Sequence, residues 1–317
     1  MREDDIINSI QQALSSKYIG DDCACLRDLG IVVTQDSLVE GTHFRRDLIS
    51  PYQLGYKSIA VNMSDIYASG ADPTYLTIAA SFPSDINKAY ILDFMSGCKD
   101  AAKPAQIVGG DVTGSDKIFI SVSAIGRLNG KHISSRSDAR IGYKIITSGE
   151  HGSSGAGLYM LFHDMKSPKK FIDAHLMPKP AHKFSYEISS RICDDYAMMD
   201  TSDGLMDALL KIAQASNVKM SIDFDKIPYD KELEILFPDS FSNFIFFGGE
   251  DYQLVAAVPE YLLKNLTEYH VIGEVKEKLV GDDFVEVNFG DRVEKYSSAS
   301  DKIFSHFGQQ KENEVFA

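Results

Sequence analysis

AMMDTSDGLMDALLKIAQ, residues 197–214, changes character part-way along, and that change sets the expected fold. Leu205, Ala208, Leu209, Ile212 and Ala213 recur at the spacing that lines one face of a helix. The DTSDG segment therefore lies at a helix N-terminus. Outward from this stretch, strand and helix signals alternate. Ile31 to Thr34 reads as a strand, residues 52–69 as a helix stopped at Gly70 and Pro73, and Thr74 to Phe82 as a strand. A helix follows over 85–102, then a short strand, Gln106 to Val108, running into Gly109-Gly110-Asp111, and an alternating strand, Lys117 to Leu128. In the second half, Tyr143 to Thr147 is a strand, and the Gly/Ser loop from Gly149 to Gly157 leads to another helix. Residues 1–16 read as a short amphipathic helix. Alternation in both halves predicts an α/β protein. The polar, basic stretch from Asn129 to Gly142 marks a boundary, giving units 1–135 and 136–308 with a frayed tail at 309–317.

Bulk properties narrow the function. Hydrophobic residues make up 44% of the 317, enough for a large core with no need for a disulfide or metal staple. The formal charge of −14 argues against nucleic-acid or anionic-membrane partners, because phosphates repel such a chain. Any phosphate chemistry must then use a local device such as a bound cation. Cys23, Cys25, Cys98 and Cys193 lack zinc-site spacing and read as reduced thiols. The acidic N-terminus lacks a secretory apolar stretch, and no run approaches the roughly 18 apolar residues of a membrane span, so a cytoplasmic protein is expected.

The informative signal is the placement of carboxylates: Asp21 and Asp22 in IGDDCA, Asp36 in VVTQDSL, Asp65 in NMSDIYASGADP, Asp111 in VGGDVTG, Asp200 and Asp203 in MDTSDGL, and Glu250 and Asp251 in FGGEDYQL. Any one of them alone is ordinary turn or N-cap chemistry. Together they end successive apolar segments, which places several acidic groups at one sheet edge. Clustered carboxylates raise one another's pKa unless cations neutralise them, and hard oxygen donors suit Mg²⁺, which bridges carboxylates to phosphates. Ser58, Asn62, Asp65 and Ser69 form one polar stripe on an otherwise apolar helix. No Walker loop or protein-kinase motif set occurs in the sequence. GSSGAG at 152–157 follows a strand and opens a helix, so it is either an anion cradle or a plain tight turn. Arg136 is either a phosphate clamp or a surface ion pair. His43, near Asp36, becomes a substrate-contact candidate beside a metal–phosphate site.

Taken in order, IGDDCA, TQDSLVEGTHF, LGYKSIAVNMSDIYASGADP, VGGDVTG, SRSDARIG, MDTSDGL and FGGEDYQL resemble the motif series of the thiamine-monophosphate kinase family, across residues 19–254. That family is one of the PurM-like ATP-dependent group, with aminoimidazole ribonucleotide synthetase and selenophosphate synthetase. The resemblance implies two α/β domains. The N-terminal domain would bind ATP and Mg²⁺ and pair with a second copy in a dimeric β-barrel; the C-terminal domain would bind substrate. It implies direct in-line transfer from ATP to thiamine phosphate with several Mg²⁺ ions, without a catalytic nucleophile. Carried over, the metal ligands are Asp22, Thr34, Gln35, Asp36, Asp65, Asp111, Asp200 and Asp203. Gly110, Asp111, Arg136 and Ser202 would contact ATP; His43, Glu250 and the aromatic Phe304 would contact thiamine phosphate.

Two positions depart from the family pattern. Gln35 stands where a second Thr is usual, and Ala181 stands where Arg usually follows the Pro-x-Pro step, leaving His182 or Lys183 as substitutes. Selenophosphate synthetase resembles this chain less, since Cys23 and Cys25 follow the first acidic motif instead of preceding it in a glycine-rich loop. A nucleotide-binding sensor on the same scaffold is the non-enzymatic alternative. Acidic motifs in both halves weigh against it, because a sensor need not keep transfer geometry.

Overall fold

The computed structural model describes residues 3–298. Two sheets organise the chain. The first half runs α1 (Glu3–Leu14), β1 (Ala24–Leu26), β2 (Ile31–Val39), α2 (Pro51–Ala68), β3 (Asp72–Phe82), α3 (Lys88–Ala101), β4 (Gln106–Gly114) and β5 (Phe119–Arg127). Its five-stranded sheet has the order β1-β2-β5-β3-β4. The second half runs β6 (Lys144–Thr147), α4 (Ser153–Phe162), α5 (Lys169–Leu176), α6 (His182–Ser189), β7 (Ala197–Asp200), α7 (Leu205–Ser216), β8 (Lys219–Asp223), α8 (Lys231–Leu236), α9 (Phe241–Phe247), β9 (Leu254–Val258), β10 (His270–Lys276), β11 (Val285–Asn288) and β12 (Val293–Tyr296). Its seven-stranded sheet has the order β12-β11-β8-β10-β6-β9-β7. The fold is mixed α/β, as expected. The sheets, however, are mainly antiparallel, and the parallel pairs are β3–β4 and β8–β11. Neither described sheet closes on itself.

α2 sits at the centre. Ser50 caps it: its hydroxyl accepts from Gln53 N, the Gln53 side chain accepts from Ser50 N, and Pro51 begins the first turn. From Leu54 to Ala68 only Tyr56 and Asp65 are not fully buried, as befits a helix enclosed on every side. It packs on the first sheet, on α3, and on β7 and α6 of the second half. The α2–α3 approach depends on glycine: a Cβ on Gly55 would lie 1.9 Å from Phe94 O, and one on Gly97 would lie 1.9 Å from Tyr52 O. One hydrophobic core runs through both halves, joining Ile59, Ile66 and Val122 to Leu254, Ala256 and Ile188. A second core lies behind α7, around Leu209, Ile212, Met220 and Val255.

The first sheet has two unlike faces. Leu76, Ile78, Ile120 and Val122 are buried inward. The outer face carries Gln35, Ser37, Thr77, Ala79, Ser121 and Ser123, which line a shallow groove of about 470 Å³. β2 continues past Thr34 to Val39, and β4 continues through Asp111 to Gly114, because both remain paired to neighbours along their length. Asp36 and Asp111 are therefore mid-strand residues, and Asp65 begins the last turn of α2. Asp200, ending β7, and Glu250, just after α9, stand where apolar segments stop, and Asp203 lies just before α7.

Candidate active site

Asp65 projects from α2, Asp200 ends β7, and Asp22 precedes β1. Oxygen atoms of these three carboxylates lie within 4.8 Å of one another. Each has local support. Thr34 Oγ1 donates to Asp65 Oδ2 at 2.6 Å, and Ser64 Oγ donates to Asp200 Oδ2 at 2.6 Å. Asp36 enters from β2, its backbone N–H held by Asn62 Oδ1 at 3.0 Å. Ser58, Asn62 and Ser69 of the polar stripe are all buried; Ser58 Oγ donates back to Leu54 O of its own helix, and Asn62 holds Asp36.

The electrostatics are those of an under-neutralised acidic pocket. Burial, then repulsion from Asp36, Asp200 and Asp22, pushes the Asp65 carboxyl well above its usual range. Burial, with Asp203 and Asp22 adding, raises Asp36 to about 6; burial and Asp22 raise Asp200 to about 7. Two cations flank the group. Arg136 Nη2 pairs with Asp22 Oδ1 at 2.6 Å, and its buried Nε has no hydrogen-bond partner among the described residues. Lys211, on α7, lies 2.7 Å from Asp207 and 3.5 Å from Asp203. Arg136 is thus paired inside the cluster, with one N–H to spare, and is not a surface bridge. The clustered carboxylate oxygens match the donor set that Mg²⁺ prefers.

Other expected site residues fall elsewhere. In the first sheet Asp36 registers with Val122, Ile78 and Gly110, whereas Asp111 registers with Ala79, Ser121 and Ser37. Side chains alternate faces along a strand, so Asp111 lies on the outer face, opposite Asp36 and three strand spacings, about 14 Å, across the sheet. Gly110 permits a close passage, with φ 156° and a notional Cβ only 1.8 Å from Ile78 O. Gln35 also faces outward. Its amide donates to Ser121 Oγ at 3.0 Å and accepts from Ser123 Oγ at 3.0 Å, so only its backbone remains to serve the inner pocket.

Ser202 and Glu250 are neighbours, Glu250 N donating to Ser202 O at 2.7 Å. His43 Nδ1 accepts from Val39 N at 3.0 Å, and its charge bears on the Glu250 carboxyl. Phe304 lies outside the described residues, as does the expected 309–317 tail. His182 packs against Tyr67, with ring centroids 5.1 Å apart, and Lys183 pairs with Glu268 at 2.6 Å. Neither stands in at the acidic pocket for the arginine absent at Ala181.

The Gly/Ser loop resolves in favour of internal capping. Gly152 N and Ser154 N both donate to the Asp251 carboxylate, at 2.6 and 2.8 Å, so the N-terminus of α4 already holds an anion from its own chain. Ser64, Lys57, His175 and Lys211 were not singled out from sequence. The available signal for Lys57 was a lone cation in the apolar run LGYKSIAVNM, one residue from the polar stripe.

A two-sheet chain converging carboxylates from both halves matches two family models, AIR synthase related protein, N-terminal domain, over residues 20–128, and its C-terminal domain over 140–283. Among curated relatives, thiamine-monophosphate kinase of Aquifex aeolicus is 35% identical over 86% of this chain and 90% of the relative. That of Bacillus subtilis is 32% identical over 88% and 92%. The solved structure described as "AaThiL complexed with AMPPCP and TMP" superimposes with TM-score 0.85 at 32% identity, covering 96% of this chain and 97% of that one. The chain belongs to the thiamine-monophosphate kinase family.

Proposed function

We propose that this chain transfers the terminal phosphoryl group of ATP to thiamine phosphate, forming thiamine diphosphate and ADP. The observation that carries the reading is the meeting of Asp22, Asp65 and Asp200, from both halves of the chain, within 4.8 Å. Family membership supplies the substrates.

Asp22, Asp65 and Asp200 hold Mg²⁺ in this reading, with Asp36 and Asp203 alongside. Mg²⁺ held by these residues would supply neutralisation of phosphate charge. The acceptor oxygen is already ionised near pH 7, since the second pKa of a phosphate monoester is about 6, so no side chain has to remove a proton. The main obstacle is bringing two anions together: at ε ≈ 20, unit charges 4 Å apart repel by about 4 kcal/mol. Arg136 directs its unpartnered Nε toward the nucleotide, and Ser202 and Gly110 contact it. Glu250 and His43 orient thiamine phosphate. Asp111 lies on the opposite face from Asp36, so in this reading it serves a site at that outer face and does not join the Asp22, Asp65 and Asp200 cluster of its own chain. A second copy covering that face and completing a barrel with the open sheet is the dimer we infer, with residues 1–135 as the pairing unit and 136–308 as the substrate unit. The free cysteines fit a cytoplasmic setting.

ADP release by purified protein tests the reading. Release that depends on both thiamine phosphate and Mg²⁺ supports it. Tight ATP binding without turnover supports a sensor instead.

A further inference from the structure

Lys57 is a buried cation outside the acidic pocket. It lies on α2 with a side chain 1% exposed, and its Nζ donates to Glu250 Oε2 at 2.9 Å and lies 3.4 Å from His175 Nε2. His175 is buried too. Its Nδ1 lies 3.1 Å from Ser154 Oγ and 3.3 Å from Glu250 Oε2. An ammonium can only donate, so Nε2 is the accepting nitrogen and the ring proton is assigned to Nδ1. Glu250 Oε2 therefore receives the Lys57 hydrogen bond, and His175 Nδ1, whose hydrogen-bond partner is Ser154 Oγ, lies 3.3 Å from the same oxygen. Oε1 has no hydrogen-bond partner among the described residues, and the side chain is 24% exposed. One oxygen is held by Lys57, and the other is left without a hydrogen bond among the described residues.

The backbone is held with equal care. Glu250 has φ +66°, a conformation that non-glycine residues rarely adopt, and its N–H is bound to Ser202 O. The next residue, Asp251, is locked onto the start of α4. Burying a lysine costs free energy that an apolar side chain avoids. Burial alone would raise the Glu250 carboxyl, yet Lys57 outweighs it, with help from His175 and His43, and holds it below the usual range. Burial, then Lys57, pushes the His175 imidazole down to about 3.

We propose that Lys57 is a positioning residue for thiamine phosphate: it clamps Oε2 of Glu250 so that Oε1 faces the substrate, whose thiazolium ring is cationic, and His175 is the second support. The inference rests on the kinase reading above. It makes α2 a shared support for both ligands, with Asp65 on the metal side and Lys57 on the acceptor side.

Steady-state kinetics of Lys57→Met test it. KM for thiamine phosphate should rise on the order of tenfold, with KM for ATP changed less than about twofold. His175→Gln should raise the same KM by about threefold. In a Glu250→Gln background, Lys57→Met should add less than about twofold, because its effect passes through the lost carboxylate. A lysine that only supports the fold would lower the melting temperature without separating the two KM values. Should Lys57→Met fail to melt cooperatively, Lys57→Gln and His175→Gln carry the same measurement. An active wild-type enzyme with an unmoved thiamine phosphate KM in these variants overturns the inference alone. A wild-type enzyme inert toward thiamine phosphate overturns the kinase reading and the inference with it.

Discussion

Two carboxylate sites are supported by α2, one through Asp65 and one through Lys57, and they behave oppositely. Asp36, Asp65 and Asp200 have no ion pair of their own among the described residues, Arg136 being paired with Asp22 and Lys211 with Asp207 and Asp203, and all three are pushed upward by burial and by repulsion from neighbouring carboxylates. Glu250 is also desolvated, but Lys57 is built in beside it and its carboxyl is pulled downward. The difference teaches what each region requires from outside. A carboxylate with its own cation has its charge balanced within the polypeptide. A pocket short of cations keeps an unfavourable charge balance until divalent ions arrive, which is the condition for holding polyphosphate in an acidic protein.

Asp65→Ala should break the comparison most severely. Turnover should fall on the order of 10²–10³-fold. The metal-free protein should melt no lower than wild type, because a repelling charge has gone; a large drop in melting temperature would show that Asp65 is structural instead. Asp36→Ala should behave likewise. Asp111→Ala addresses the outer face: a turnover loss comparable to that of Asp65→Ala is expected if the face contributes to the working site, and full activity would remove Asp111 from it. Arg136→Met should raise KM for ATP on the order of tenfold and leave KM for thiamine phosphate within about twofold. Equal changes in both would refute a nucleotide role.

The smallest effect is the pH dependence of stability. Asp36 at about 6 and Asp200 at about 7 lie above their unfolded values, so folding favours their protonated forms. Their contribution is therefore present at low pH and is lost as pH rises through 6 and 7. Glu250, held below its ordinary value, contributes in the opposite sense, and only below about pH 4.5 is that stability lost. Melting in EDTA should accordingly fall by a few degrees between pH 5 and pH 8. Mg²⁺ should raise the melting temperature more at pH 8 than at pH 5, since protons compete for the same oxygens. A metal-independent, flat profile would contradict the assignment.

Much of the site was readable because its chemistry is carried by short motifs. The motifs flagged Asp22, Asp65 and Asp200 as acidic residues beside Asp, Ser or Thr next to apolar runs, and the fold brings these three together. TQDS shows where that reading stops. Its four residues look alike in one dimension, yet the pleat sends Thr34 and Asp36 inward and Gln35 and Ser37 outward. GSSGAG shows the same limit, since an anion cradle and an internally capped turn share one sequence until Asp251 is brought to it.

From its sequence alone the chain determined the alternation of elements, the acidic motif order and the need for cations, because helix period, turn chemistry and charge are local properties. Only the tertiary structure decided which carboxylates meet, which face of the sheet Asp111 occupies, and that Lys57 ends within 2.9 Å of Glu250 across 193 positions of chain. Such pairings depend on strand register and on the direction in which buried side chains point, and no local pattern encodes either one.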